Sequence, residues 1–443
     1  MSTDLLASAR AAMSLAKKHG ATDASATATS SREVETTWRD GKLEKVADAT
    51  SREIALALYV DGKYGSMSTS DLRPAALERF VEDAVGLVRS LAKDPHRKLP
   101  DPKLYEGRRL SDADLEMYDP SIAEATTDSR LQRARALEEG ARSAPGADRI
   151  LSVTTDVSDY VTELSRVTSN GFEGSYRGSY TSVAAEVSVK DDDGRRPEDY
   201  VSATVRFAKD LPDAAAIGRE ATGRAVARLG SKKIESGTMS ILVEARAAQS
   251  LLRHLVGPLG GAALQQKESF YDGKLNALVA NAAFTLSDEP LLKRGIASRP
   301  FDAEGITAKP LPLIEKGVLK ANLLDVYYAS KLGRAPTTGR TSNLVVAPGK
   351  KSPAALLKDM KNGILVTGFL GGNSNSTTGV FSLGLSGFRI VNGEKKEAIS
   401  EMNLSGKHLD FWKRLVAVGD DPYVYSSTRS PSLLFEGASI AGK

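Results

Sequence analysis

The chain has 443 residues, 41% hydrophobic and 26% charged, enough to bury sizeable cores in two or three domains. Its 60 Lys and Arg against 56 Asp and Glu leave +4, with no run of five like charges, which argues against a nucleic-acid or membrane surface. Cysteine is absent, so disulfides, thiolate zinc ligands, iron–sulfur clusters and thiol nucleophiles are excluded.

The N-terminus carries Asp4 and Arg10 and lacks the basic head and apolar core of a signal peptide. No stretch approaches the ~20 apolar residues of a membrane span, so a cytoplasmic protein is expected. Leu5, Leu6, Ala9, Ala12, Met13 and Ala16 recur at helical spacing and predict a helix over 3–19, closed by Gly20. Alternation over 34–46 is interrupted by Asp40-Gly41, and the apolar run 54–60 ends at Asp61-Gly62. Both dipeptides favour the positive φ of a tight hairpin. A helix follows Asp71 and Pro74 and runs to about Ala92. The proline- and charge-rich stretch 94–118 reads as a connection and not as core.

A helix is expected over 121–144, then strands over 150–189 with a turn at Asn170-Gly171. Residues 191–199 read as a solvated loop, and a helix over 214–229 closes at Gly230. Beyond it come an apolar, glycine-rich stretch over 250–261 and strands near 313–323, 344–346, 363–369, 380–391 and 398–404. The fold class is α+β, helices on mostly antiparallel sheets. The divisions expected are an N-terminal module over 1–93, a linker over 94–120, a middle region over 121–234 and a sheet-rich C-terminal domain over 235–443.

Histidine is restricted to His19, His96, His254 and His408, no two at the spacing of a hydrolytic zinc motif. There is no G-x-S-x-G elbow to expose a serine. The segment 368–379 lacks a P-loop ending and precedes a strand. It reads either as a tight loop or as the backbone wall of a cleft, with Asn373, Asn375 and Thr378 supplying hydrogen bonds. Asp302 and Glu304, two apart on an extended segment, would share a face and could orient a substrate amine; a surface loop fits equally. Phe411, Trp412 and Leu415 at helical spacing read as core.

In order along the chain stand Gly41-Lys42-Leu43, Asp61-Gly62-Lys63-Tyr64-Gly65-Ser66, Ser169-Asn170-Gly171 and Leu313-Ile314-Glu315-Lys316-Gly317-Val318-Leu319. They continue as Gly371-Gly372-Asn373-Ser374, Thr378-Gly379-Val380-Phe381-Ser382, Ile390-Val391-Asn392-Gly393-Glu394 and Leu404-Ser405-Gly406. In this order and spacing the chain resembles the TldD/PmbA family, also called modulators of DNA gyrase. The family pairs a TldD-like chain, whose His-Glu-x-x-x-His helix and later cysteine hold zinc for peptide hydrolysis, with a PmbA- or TldE-like chain lacking the motif. Here the region reads Arg253-His254-Leu255-Val256-Gly257-Pro258-Leu259: no glutamate follows His254, and Pro258 and Leu259 stand where the second histidine is sought.

The resemblance thus implies the TldE-like role, with no metal in this chain, zinc in a TldD-like partner, and unfolded or small peptides as substrate. The candidate peptide cleft takes in Asp302, Glu304, Gly371, Gly372, Asn373, Ser374, Thr378 and Gly379. Alternatives are a regulatory protein that forms a homodimer when alone, and a peptidase using Asp302, Glu304 and His254 without zinc.

Overall fold

The computed structural model describes residues 4–107 and 109–443; Thr3, where the first expected helix begins, and Arg108 of the expected connection lie outside the described residues. Helix α1 (Leu5–Lys18) is capped by Asp4, whose Oδ1 accepts from Leu6 N and Ala7 N at 3.0 and 3.1 Å. Strands β1 (Asp23–Arg39), β2 (Lys42–Val60) and β3 (Lys63–Thr69) are joined at the two Asp-Gly turns, where Asp40, Gly41, Asp61 and Gly62 all take positive φ. Helix α2 (Pro74–Arg89) packs beside α1. Small residues Ala24, Ala26 and Ala28 of β1 let α1 approach through Ala9, Ala12 and Ala16, while Ile54, Leu56 and Leu58 of β2 fill the remaining core.

The helix expected over 121–144 is broken into α3 (Pro120–Ala123) and α4 (Thr127–Arg142), because Thr126 forms a reciprocal capping box with Ser129. Strands β4 (Ile150–Thr168), β5 (Glu173–Val189) and β6 (Glu198–Val205) follow, then α5 (Ala214–Val226), which with α4 covers Val153, Val157, Val183, Val187 and Val201. Long strands from both sides of the connection share one antiparallel sheet of order β3-β2-β1-β4-β5-β6. β1 pairs with β4 over the whole stretch from Ser25↔Thr168 to Arg39↔Thr154. The connection itself contributes to the interior: Leu115 and Met117 are 0% and 1% exposed, contrary to its polar reading.

The C-terminal half opens with β7 (Gly237–Val243), α6 (Ala245–Leu259) and α7 (Gly261–Gln265). Then come β8 (Leu286–Asp288), β9 (Leu311–Glu315), β10 (Val318–Leu319), α8 (Val326–Lys331), β11 (Leu344–Val346) and α9 (Pro353–Met360). The chain ends through β12 (Gly363–Ser374), β13 (Val380–Val391), β14 (Glu394–Lys407), α10 (His408–Phe411), β15 (Leu415–Val418), β16 (Thr428–Arg429) and β17 (Leu433–Ala441). One sheet runs β10-β9-β8-β11-β16. The other runs β14-β13-β12-β7-β17-β15 and closes on itself through β14–β17. Between them lies the largest core, into which α6 sends Leu251, Leu252, Leu255 and Leu259. The fold is α+β, mostly antiparallel, with parallel pairings only at β7–β12 and β11–β16 among named strands of the described residues. Among the described residues, no helix is long and apolar enough to cross a membrane.

Two local readings are corrected. The run 313–323 is a hairpin, turned by Lys316 and Gly317 at φ 47 and 79. The glycine segment 368–379 is not all loop: β12 runs through it to Ser374, with register shifts at 366/368 and 369/372. Gly372 takes φ 130 with Ser382 O only 2.3 Å from where a Cβ would stand, so the bulge needs glycine. The turn proper is 375–379, closed by Asn375 Oδ1, which accepts from Thr377 N and Thr378 N, both at 2.9 Å.

Candidate functional site

Helix α6 is held by its apolar stripe, with Arg253 exposed and His254 half-buried. Pro258 sits in its last turn, where the missing N–H is least disruptive because the helix stops at Leu259. Pro258 O accepts from Ser269 Oγ at 2.6 Å, and Leu259 O accepts from Leu323 N at 2.9 Å, so both positions serve packing.

Spacing along the chain puts no two histidines together; the fold does. The β13–β14 register sets Val380 opposite Lys407, so the next residue, His408, reaches the turn and donates its backbone N–H to Gly379 O at 2.8 Å. The His408 ring lies 6.0 Å from His254, 5.4 Å from Phe270 and 4.6 Å from Phe381, centroid to centroid, all stacked. His408 Nε2 hydrogen-bonds Ser374 Oγ at 2.9 Å. His408 Nδ1 is buried without a partner among the described residues. Burial, then the charge of His254, pushes the His408 imidazole down to about 4. Burial, then Arg253, lowers His254 as well.

This limits the chemistry. A serine beside an imidazole suggests a nucleophile and base, but a base titrating near 4, with no carboxylate on Nδ1 to stabilise the imidazolium, is a poor proton acceptor at neutral pH. Zinc needs three protein ligands, and among the described residues no three His, Cys, Asp or Glu side chains converge to hold a metal. The residues present do not fit the family's metal.

Asp302 and Glu304 stand elsewhere, and not on an extended segment. Asp302 Oδ1 accepts from Glu304 N and Ile306 N at 2.9 and 3.0 Å, folding 302–306 into a turn with Gly305 at φ 88. Asp302 is only 7% exposed, so the surface-loop reading is also set aside. Glu304 Oε2 accepts from Val326 N at 3.0 Å, and burial raises its carboxyl to about 7. Neither acid bonds to His254, His408 or the 371–379 segment among the described residues.

Beside α6, β12 offers an open edge. β7 pairs with it only from Ile364 to Val366; past that point no strand of the described residues occupies that side. Arg224 caps the start of this edge, donating to Thr367 O at 3.3 Å and to Glu244 Oε1 at 2.8 Å. A cavity of about 280 Å³ lies there, lined by Arg246, Ser250, Thr367, Phe369 and Leu370, and Leu370 is 52% exposed. Gly371, Gly372 and Asn373 continue the exposed strip to Ser374, and Thr378 and Gly379 close it over His408.

Three family descriptions match in succession: PmbA/TldA metallopeptidase domain 1 over 24–88, the central domain over 120–229 and the C-terminal domain over 236–442. Metalloprotease PmbA of Escherichia coli O157:H7 is 28% identical over 362 residues, covering 81% of this chain and 79% of that protein. A crystal structure from Bacteroides thetaiotaomicron, of a protein named as a candidate modulator of DNA gyrase, is 38% identical with a TM-score of 0.94 over 100% of both chains. TldE from Thermococcus kodakarensis, at 18% identity and a TM-score of 0.84 over 98% of this chain and 100% of its own, shares the fold. The chain belongs to the TldD/PmbA family.

Proposed function

We propose that this chain is the non-catalytic, TldE-like subunit of a heteromeric peptidase, completing the cleft for unfolded or small peptides beside a TldD-like chain. The observation that carries the reading is the helix α6: its one histidine lacks a ligand a turn away, where Pro258 and Leu259 are built into the core. The nearest second imidazole, His408, is buried in an aromatic stack and engaged by Ser374. What this chain retains is a receptive backbone. An extended peptide added along Thr367–Asn373 finds main-chain donors and acceptors on an open edge, and glycines keep side chains out of its path. Such pairing reads peptide conformation more than sequence. In this reading the metal and its activated water belong to the partner.

The test is co-expression with a TldD-like chain from the same genome. A stable complex on size exclusion, with cleavage of unfolded peptide by the pair and by neither chain alone, supports the reading. Failure to associate, or peptide cleavage by the isolated chain with stoichiometric zinc, overturns it.

A further inference from the structure

A cavity of about 200 Å³ opens where distant segments meet: the β2–β3 hairpin, the connection at Arg97 and Lys98, the 299–304 turn, the start of α8 and the 338–340 loop. Asp302, Glu304 and Asp325 line it together with Arg97, Lys98, Arg299 and Arg340. Opposite charges on so small a surface ordinarily close into ion pairs. Here, among the described residues, none of the four cations has a carboxylate within 4.0 Å.

The separation is built in. Arg97 is held by stacking, its guanidinium 4.5 Å from the Tyr64 ring centroid and 3.4 Å from that of Tyr327. Arg299 donates through one terminal nitrogen to Thr338 Oγ1 and Arg340 O, at 3.1 and 2.6 Å, which leaves its buried Nε without an acceptor among the described residues. On the acidic side Asp302 and Glu304 each spend one oxygen on backbone N–H groups and leave the other without a donor among the described residues. Buried polar groups are ordinarily satisfied, so the buried, unfilled Arg299 Nε beside carboxylates that each keep a spare acceptor oxygen marks a ligand carrying both signs. A lone cation would meet the arginines, a phosphate would meet the acids, and a metal lacks three converging ligands among the described residues.

We infer that this cavity binds a small zwitterion, a free α-amino acid or a dipeptide, with its ammonium on Asp302 and Glu304 and its carboxylate on the arginines. The inference holds for the isolated chain and does not depend on its pairing with a catalytic subunit. That Glu304 is kept where burial opposes its charge fits a carboxylate retained for a ligand and not for stability.

The experiment is isothermal titration calorimetry on the isolated chain at pH 8 with the common L-amino acids and L-alanyl-L-alanine. N-acetyl and amide derivatives of any ligand that binds serve as single-charge controls. Saturable one-to-one binding of a zwitterion is expected, at least tenfold weaker for both derivatives and at least tenfold weaker in Glu304→Gln and in Arg340→Ala. Arg340 is exposed, so that variant keeps the test alive if Glu304→Gln fails to fold. Absence of saturable heat from every zwitterion on folded wild-type protein, or binding unchanged in the two variants, overturns the inference.

Discussion

Two buried titrating side chains pull the stability of this protein in opposite directions with pH. Glu304 has its folded pKa raised from 4.5 to about 7 by burial, so the native state holds a proton that the unfolded chain has lost. Stability from this group is therefore full below 4.5 and falls as pH rises to 7, by roughly 3 kcal/mol at most. Glu304→Gln keeps an acceptor for Val326 N and removes the charge. It should match wild type at pH 4.5 and exceed it by about 1–3 kcal/mol at pH 8, read from urea midpoints at the two pH values. His408 runs the other way: its folded pKa lies below 6.5, at about 4, so stability is full above 6.5 and falls as pH drops. His408→Phe preserves the stack on Phe381 and should gain on wild type by roughly 2 kcal/mol between pH 7 and pH 5. An unchanged difference across that range would mean the ring is not buried as neutral imidazole. At this scale the sequence was half legible. That no second histidine stands a turn after His254 is local to one helix and can be read directly from the sequence. The meeting of His254 with His408 is set by the β13–β14 register and the 375–379 turn, which no spacing along the chain encodes.

At the scale of elements, α4 and α5 meet backbone to backbone. A Cβ on Gly218 would lie 1.9 Å from Leu137 O, and one on Gly140 would lie 2.2 Å from Ala215 O, so each helix gives a glycine to the other. Gly223 lies on the same helix as Gly218 but is exposed, with nothing within 4 Å of its Cβ position. The pair makes a controlled comparison. Gly223→Ala should stabilise by about 0.5–1 kcal/mol through helix propensity alone. Gly218→Ala should destabilise by about 1–3 kcal/mol or more, because the blocking atoms are main chain and the helices must part. Equal effects in thermal unfolding would show that the two helices do not cross at backbone contact. Helices and hairpins were readable where local chemistry decides: Asp-Gly at both N-terminal turns and Pro74 at the start of α2. They were misread at the break before Thr126, which a local capping box sets, and at β12, which persists through Gly371 and Gly372 because the tertiary contact with β13 holds its far side.

Across the whole molecule, β1 pairs with β4 although β2, β3, the connection and helices α2, α3 and α4 intervene. That long-range register could not be read from either strand, since both are simply alternating. The joint between this sheet and the C-terminal half depends on Arg206 at the end of β6. Its guanidinium is buried and donates to Gly295 O and Ser179 O at 3.0 Å, to Met117 O at 3.4 Å, and to Ile296 O. One cation thereby ties sheet, connection and C-terminal loop. Burial, offset only in part by Tyr176 and Tyr180, lowers its pKa to about 10, so it is still charged at neutral pH. Arg206→Met fills much of the volume but takes a donor from each of those carbonyls; Gly295 O and Met117 O keep Ser298 N and Ser179 N, and the cost is about 1–3 kcal/mol for each carbonyl left unsatisfied. Arg206→Lys should recover part of the loss, because an ammonium reaches fewer of the divergent acceptors. The loss should be local, so hydrogen exchange is the discriminating measurement. Amides at Gly295 and Ser298, which bond Leu292 O and Gly295 O, should exchange faster, while those of the β1–β2 pairing keep their protection. Uniform acceleration would mean instead that the two halves unfold as one unit and that Arg206 contributes only to global stability.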